Sequence, residues 1–197
     1  MTLVLASASR SRAQLLLAAG LDFVSVPAQI DEEEVRRSLV TAGKDGAVIA
    51  EALAELKALK ISTARPNDLV IGADQVLSFD GEILGKVADL TEGEHLLRRL
   101  RGKGHLLLGG IVLAKDGEPI WRHRSRAQLW VRRFSDEFLS RYLDREGAAV
   151  LETVGCYRLE GEGIQLFDAI EGDYFAILGL DLLPLMAALR EQGVVAT

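Results

Sequence analysis

The chain is poor in what would tie it to a secreted, membrane or nucleic-acid setting. It has one cysteine, Cys156, in 197 residues. That excludes an internal disulfide framework and a multi-cysteine zinc site, and it fits a reducing compartment. Positive charge is outweighed, with 23 Lys and Arg against 29 Asp and Glu and a net charge of −6. Such a balance lacks the global field that draws proteins to nucleic acid or anionic membranes, although a local positive pocket can still take a small anion. No apolar run approaches the roughly 20 residues of a membrane span. The opening residues, from Met1 to Arg10, have neither the length nor the positive n-region of a signal peptide. No low-complexity segment, internal repeat or linker interrupts the chain. The expectation is one domain over residues 1–197, cytoplasmic, with no nucleic acid and no membrane partner.

What is present centres on Leu69 to Lys86. Leu69, Val70 and Ile71 read as a strand buried on both faces. Gly72 and Ala73 thin the side chains, and Asp74 follows at once. An acid there is costly unless it is paired, binds a metal or faces a cleft, and in open α/β sheets the cleft lies outside the carboxyl ends of the strands. Val76 to Phe79 continues the run, Asp80-Gly81 is a two-residue hairpin signal, and Glu82 to Leu84 returns towards Gly85 and Lys86. The register pairs Phe79 with Glu82 and, carried on, Gln75 with Lys86. The hairpin would then gather an acid, an amide and an ammonium, with Gln75 and Lys86 on one face and Asp74 on the other, unless a bulge at Gly85 re-aims Lys86. A structural hairpin with a solvated Lys86 and a loop-capping Asp74 fits the same residues.

Upstream, Leu3 to Leu5 form a short strand, followed by Ala6-Ser7-Ala8-Ser9-Arg10-Ser11-Arg12, a helical run over Ala13 to Ala19, and Gly20 as its stop. A strand, a small polar loop and a helix start make a cradle for an anion. A plain serine cap with solvated arginines is the bland alternative. A second strand is expected at Phe23 to Val26. Asp31 to Glu34 suits a helix start, or one of these acids could hold a divalent metal. Asp45 to Lys60 is an amphipathic helix with Ile49, Ala52, Leu53, Leu56 and Leu59 as its apolar stripe, and Lys57 and Lys60 suit its C-terminal dipole.

Downstream, Thr91 to Glu94 has capping-box form for a helix that stops at Gly102. His105 to Ala114 and Trp121 to Arg133 flank a second hairpin turn, Asp116-Gly117. Arg122, Arg124 and Arg126 alternate onto one face of the return strand, read as solvated rather than as a nucleic-acid surface, given the acidity and the 6% aromatic content. Ser135 to Gly147 is a capped helix. Gly155 to Gly163 is a glycine-punctuated loop whose backbone could approach a ligand. A strand over Ile164 to Ile170 and a final helix, capped by Asp181 with Pro184 in its first turn and Gly193 past its end, complete the chain. Hairpins interrupt the βα alternation, so the sheet is expected to be mixed α/β.

Together these stretches resemble the Maf family of nucleoside triphosphate pyrophosphatases. The matching motifs are Leu5-Ala6-Ser7-Ala8-Ser9-Arg10-Ser11-Arg12, Asp31-Glu32, Lys57-Ala58, Gly72-Ala73-Asp74 and Asp80 to Lys86, followed by the late glycine-rich loop, the Glu171-Gly172 turn and the final helix start. Arg10, Val87 and Asp181 stand where the family has proline, which bears on loop geometry more than on charge. The resemblance implies a long curved mixed sheet with flanking helices and two lobes around a deep nucleotide cleft. It implies cleavage of a nucleoside triphosphate to monophosphate and pyrophosphate with a divalent cation, Mg2+ or Mn2+, and it allows a homodimer. It assigns Asp74 as proton acceptor and metal contact, Glu32 as metal ligand, and Ser7, Ser9, Arg12, Lys57 and Lys86 as phosphate contacts. Substrate choice is expected at Ser11, Gln75 and Glu160. Asp74-Gln75 and Glu160-Gly161 look like the branch that cleaves 7-methyl-GTP. A branch that cleaves dTTP and UTP is the alternative, as is a nucleotide-binding regulator of cell division without turnover.

Overall fold

A computed structural model describes residues 1–196; Thr197, included in the expected domain, lies outside the described residues. Strands β1 (Leu3–Leu5), β2 (Val24–Ser25), β3 (Leu69–Phe79), β4 (Glu82–Leu84), β5 (Gly104–Lys115), β6 (Glu118–Val131) and β7 (Phe167–Glu171) form one mixed sheet of order β2-β1-β3-β5-β6-β7, with β4 paired to β3 off that path. The helices are α1 (Arg10–Ala18), α2 (Glu32–Thr41), α3 (Gly46–Ala64), α4 (Leu90–Leu100), α5 (Asp136–Glu146), α6 (Tyr174–Ile177) and α7 (Leu182–Glu191). The chain divides into two compact units. The first holds Met1–Gln75, Leu108–Arg126 and the chain from Asp173 on; the second holds Val76–Leu107 and Ala127–Gly172.

In the first unit β1 runs parallel to both β2 and β3, with Leu5 opposite Ile71 and Ser25. Alternate residues face opposite ways along a strand, so the sheet has an apolar layer on each side. Leu3, Leu5, Leu69, Ile71, Ile111 and Leu113 pack with Leu15 and Leu16 of α1 and Leu185 and Leu189 of α7. Val4, Val70 and Val112 pack with Ala54, Ala58 and Ile61 of α3. Burial on both faces explains why these strands are almost continuously apolar in sequence.

The α3 face is closely seated. A Cβ on Gly72 would press into the Ala54 carbonyl oxygen and lie 2.7 Å from the Ala58 Cβ; one on Gly110 would lie 2.6 Å from the Glu51 Cα. The two strands lack side chains there, and the helix answers with alanines. This displaces the expected stripe. The buried residues are Gly46, Ile49, Ala50, Leu53, Ala54, Lys57, Ala58, Ile61 and Ser62, whereas Leu56 is 43% exposed. Gly72→Ala should therefore force the helix off the sheet. Overpacking of this kind costs about 1–3 kcal/mol, to be measured as a fall in the urea midpoint. An unchanged midpoint would show that α3 does not depend on the missing side chain.

Several local expectations are corrected. Helix α4 is capped two residues earlier than expected: Asp89 accepts from the Glu92 amide at 2.9 Å, and the Glu92 carboxylate accepts from the Ala88 amide at 3.0 Å. Asp181 precedes α7 but makes no side-chain cap; its carboxylate meets His123 Nε2 at 2.8 Å. The last strand starts at Phe167, because residues 162–166 form a 3-10 turn. The second strand shrinks to Val24–Ser25, both exposed. Arg122, Arg124 and Arg126, by contrast, are exposed as expected, with Arg122 and Arg124 pairing with Glu55 and Glu51 of α3 at 2.6 and 2.8 Å.

Within the second unit, β4 pairs antiparallel with β3, Phe79 opposite Glu82 as expected. The ladder ends at Leu77 and Leu84, so the extrapolated pairing of Gln75 with Lys86 does not form. The glycine-punctuated loop closes on itself: Cβ atoms at Gly155 and Gly163 would run into the Tyr157 ring and the Arg158 backbone. His105 Nε2 lies 2.7 Å from the Tyr157 hydroxyl, and burial pushes its pKa down to about 4. Among the described residues no helix is long and apolar enough to cross a membrane.

Candidate active site

The site is built where β1 ends and β3 continues. The Ala6 amide still bonds to the Ile71 carbonyl at 2.8 Å, and then the first chain leaves the sheet as Ser7-Ala8-Ser9 and enters α1. Ser9 caps that helix, its hydroxyl accepting from the Arg12 amide at 3.4 Å. Ser7, 8% exposed, accepts from the Ser9 amide and from Arg12 Nη1, each at 3.2 Å. Arg12 Nε donates to the Gly179 carbonyl at 3.0 Å. The serines thus fix the loop and the guanidinium, rather than merely starting a helix.

Three residues beyond Ile71, Asp74 falls on the α3 face, because it keeps step with Val70 and Gly72. It is 6% exposed. Its carboxylate accepts from Lys57 Nζ at 2.5 Å, and the same ammonium lies 2.8 Å from Glu32 Oε1. Lys57 is itself 5% exposed. Its expected place in the last turn of a helix is corrected: α3 runs on to Ala64, and Lys57 stands on the core-facing stripe four residues after Leu53. Glu32 arrives from the first turn of α2, capped by Asp31. Burial holds the Asp74 carboxyl above its ordinary range; Lys57 and then Arg12 oppose this, while Glu32 adds to it. Burial likewise lowers the Arg12 pKa, against the fields of Asp74 and Glu32.

Beside these groups a cavity of about 220 Å³ is lined by Ser7, Ala8, Pro27, Ile30, Glu32 and Lys57, among others. Small-molecule pockets usually span about 300–1,000 Å³, so this one is smaller than a whole drug-sized ligand needs. Lys60 supports its rim by donating to the Gln29 carbonyl at 2.8 Å, and Gln29 sits at φ 47°.

An ion pair this dry, next to a capped helix start and a partly buried arginine, is an arrangement for binding an anion and moving a proton. Comparison with known families matches residues 2–192 to the Maf-like proteins. The chain belongs to the Maf family. It is 50% identical over 98% of its length to a protein of Granulibacter bethesdensis named nucleoside triphosphate pyrophosphatase, covering 98% of that relative. It is 45% identical to a 7-methyl-GTP pyrophosphatase of Rhizobium etli and 47% identical to one of Rhizobium meliloti, in each case over 98% of this chain and 97% of the relative.

In this Maf chain the first unit brings together Ser7, Ser9, Arg12, Glu32, Lys57 and Asp74 from the expected residues, with Ser11 in the first turn of α1. Gln75, one residue on from Asp74, falls on the opposite face of the sheet, where Nε2 donates to the Ala176 and Ile177 carbonyls at 3.0 and 3.3 Å. Lys86 and Glu160 belong to the second unit. Lys86 follows β4 outside any strand, and Glu160 lies 3.3 Å from Arg158, which also pairs with Glu146 at 3.3 Å. The segment from Ala176 to Gly179 was missed in the sequence. It contributes backbone carbonyls, which leave no side-chain signature beyond the left-handed Gly179 at φ 110°.

Proposed function

We propose that this protein is a nucleoside triphosphate pyrophosphatase, cleaving its substrate to the monophosphate and pyrophosphate. The observation that carries the proposal is the buried contact of Lys57 with Asp74, shared with the more exposed Glu32, beside Arg12 and the Ser9-capped start of α1, in a family whose relatives bear that name. In this reaction a water oxygen bonds to the α-phosphorus as the bond to the bridging oxygen breaks and pyrophosphate departs. Asp74 takes the water's proton, a task for a carboxylate whose basicity burial has raised. Arg12 and the first amides of α1 meet phosphate charge. Lys57 has three donors; two point at Asp74 and Glu32, and the third is left for a phosphate oxygen. Lys86 and Glu160 enter as a phosphate and a base contact on their motifs alone.

A divalent cation fits these residues. Among the described residues no group of three acids, histidines or cysteines could hold one alone, but Mg2+ is commonly held by one or two carboxylates together with substrate phosphates. Glu32 and Asp74 are such a pair, and Mg2+ or Mn2+ there would neutralise phosphate charge when bound.

The substrate proposed is a guanine nucleotide methylated at N7. Glu160 supplies a carboxylate for the guanine edge and favours a cationic base. The test is pyrophosphate release from GTP, 7-methyl-GTP, UTP and dTTP. Wild type should prefer 7-methyl-GTP. Glu160→Gln should lower kcat/KM for it by about tenfold to a hundredfold, the usual consequence of an unpaired polar contact, and should affect UTP and dTTP least. A preference for UTP or dTTP, or a uniform loss, would refute the base assignment. Absence of pyrophosphate release from all four would refute the activity.

A further inference from the structure

The first residues of β5 and the glycine-punctuated loop meet in a polar contact that the reaction does not use. His105, 2% exposed, lies 2.7 Å through Nε2 from the Tyr157 hydroxyl. Burial, which lowers its pKa to about 4, keeps the ring neutral at neutral pH, with one nitrogen a donor and the other an acceptor. Its Nδ1 is buried as well and has no hydrogen-bond partner among the described residues. A buried imidazole with an unused nitrogen is costlier than an apolar side chain in the same space, so packing alone does not account for it. What the ring does hold is Tyr157. That side chain stands edge-on to Phe167, centroids 4.8 Å apart, and covers Gly155 so closely that a Cβ there would run into it. Between the two, Cys156 turns through φ 56°, a conformation uncommon for a residue with a side chain, and its carbonyl accepts from the Tyr142 hydroxyl at 3.2 Å. All these groups belong to the second unit, and three residues beyond Tyr157 stands Glu160.

We propose that His105 is a positioning residue for base selection: its bond to the Tyr157 hydroxyl seats the loop from Gly155 to Gly163 and so sets Glu160 against the base. The proposal rests on the reading of Glu160 as the base contact. The strained turn at Cys156 has two buried supports, the Tyr142 hydroxyl on its carbonyl and the His105 ring on the side chain that follows it. Removing the second loosens the segment that carries the carboxylate. The bond lies apart from the groups that meet phosphate or move the proton, so its loss acts on discrimination between bases and not on the chemical step.

The experiment compares wild type, His105→Leu, His105→Gln, Tyr157→Phe, Glu160→Gln and His105→Leu/Glu160→Gln on GTP, 7-methyl-GTP, UTP and dTTP, with hydrogen exchange of residues 155–163 followed in parallel. His105→Leu and Tyr157→Phe should each lower kcat/KM for 7-methyl-GTP about tenfold, the scale of one lost hydrogen bond that leaves its partner unpaired. The loss should appear mainly in KM and affect UTP and dTTP least. His105→Gln, whose amide can meet the hydroxyl, should recover most of it, which a merely space-filling role would not give. In the Glu160→Gln background His105→Leu should cost little further, the non-additivity expected of residues acting through one group. Exchange at 155–163 should quicken in His105→Leu and in Tyr157→Phe. An equal loss for all four substrates, no recovery in His105→Gln, an undiminished effect without the Glu160 carboxylate, or unaltered exchange would overturn the proposal. Should Glu160→Gln leave the base preference unchanged, the reading of Glu160 fails, while exchange still decides whether His105 holds the loop.

Discussion

Asp74→Asn is expected to lower kcat by about 10²–10⁴-fold, the usual contribution of a positioned general base, while the protein keeps its fold. The substitution is isosteric and leaves an amide able to sit beside Lys57, but an amide cannot take a proton from water. The effect on stability should run the other way. Burial is the largest influence on this carboxyl and raises its pKa, outweighing the attraction of Lys57 and Arg12. A carboxyl with a raised folded pKa contributes stability that is complete below its unfolded pKa, about 4, and is lost as pH rises through the folded value. The wild-type protein, stripped of metal, should therefore lose stability above about pH 4 through this group, and the asparagine variant should not. Urea midpoints in chelator, taken from acid to neutral pH, should diverge in favour of the variant as its activity stays near zero. A variant less stable than wild type at neutral pH would mean that attraction to Lys57, not burial, dominates at Asp74. A variant retaining near-wild-type kcat would remove Asp74 from the reaction.

This opposition between activity and stability bears on what could be seen in the sequence. The parallel core was legible because strands buried on both faces must be almost wholly apolar: Leu3 to Leu5 and Leu69 to Ile71 announced themselves. The Asp80-Gly81 and Asp116-Gly117 turns were legible because left-handed backbone selects those residues, and both aspartates do have positive φ. Asp74 was legible as an acid out of place. Register beyond the hairpin was not. Extrapolating it put Gln75 opposite Lys86, whereas β4 pairs only through Leu84. The stripe of α3 was misjudged because large residues were taken to be the buried ones. Gly72 and Gly110 bring the helix so close that alanines face the sheet, and Leu56 is left outside. The same error hid the burial of Lys57, which the family motif singles out only as a phosphate contact. Counting from Ile49 and Leu53 in steps of four reaches it, but a lysine on an apolar stripe is ordinarily discounted, and only its partners Asp74 and Glu32, distant in sequence, explain it. Cap positions at Asp89 and Asp181 depended on which of several acids the tertiary context recruits elsewhere, as His123 recruits Asp181.

Lys57→Met should be the more damaging change. Methionine keeps the length of the side chain and the apolar contacts of α3 between Leu53 and Ile61, so the loss is one of charge. The Lys57–Asp74 pair is buried at both ends, with 6% and 8% of the side chains exposed, whereas Glu32 is 53% exposed and can turn to water. Removing one partner of a buried pair costs about 3–5 kcal/mol when the other must stay charged. Asp74 has an escape, since it can take up a proton. Without Lys57 the influences that raise its pKa, burial and the field of Glu32, are opposed chiefly by Arg12. The carboxyl of the metal-free variant is then neutral over a wider range of pH. The sign follows: little stability is lost at acid pH, where Asp74 is protonated in both proteins. The deficit grows as pH rises through the wild-type folded pKa and levels off only once the buried group is forced to ionise. Turnover should fall at neutral pH by at least the 10²–10⁴-fold of a lost base, because the base is harder to ionise and a phosphate contact is gone together. A deficit in the urea midpoint that is the same at pH 4 and pH 8 would show that Lys57 stabilises the protein by packing and not by holding Asp74 ionised.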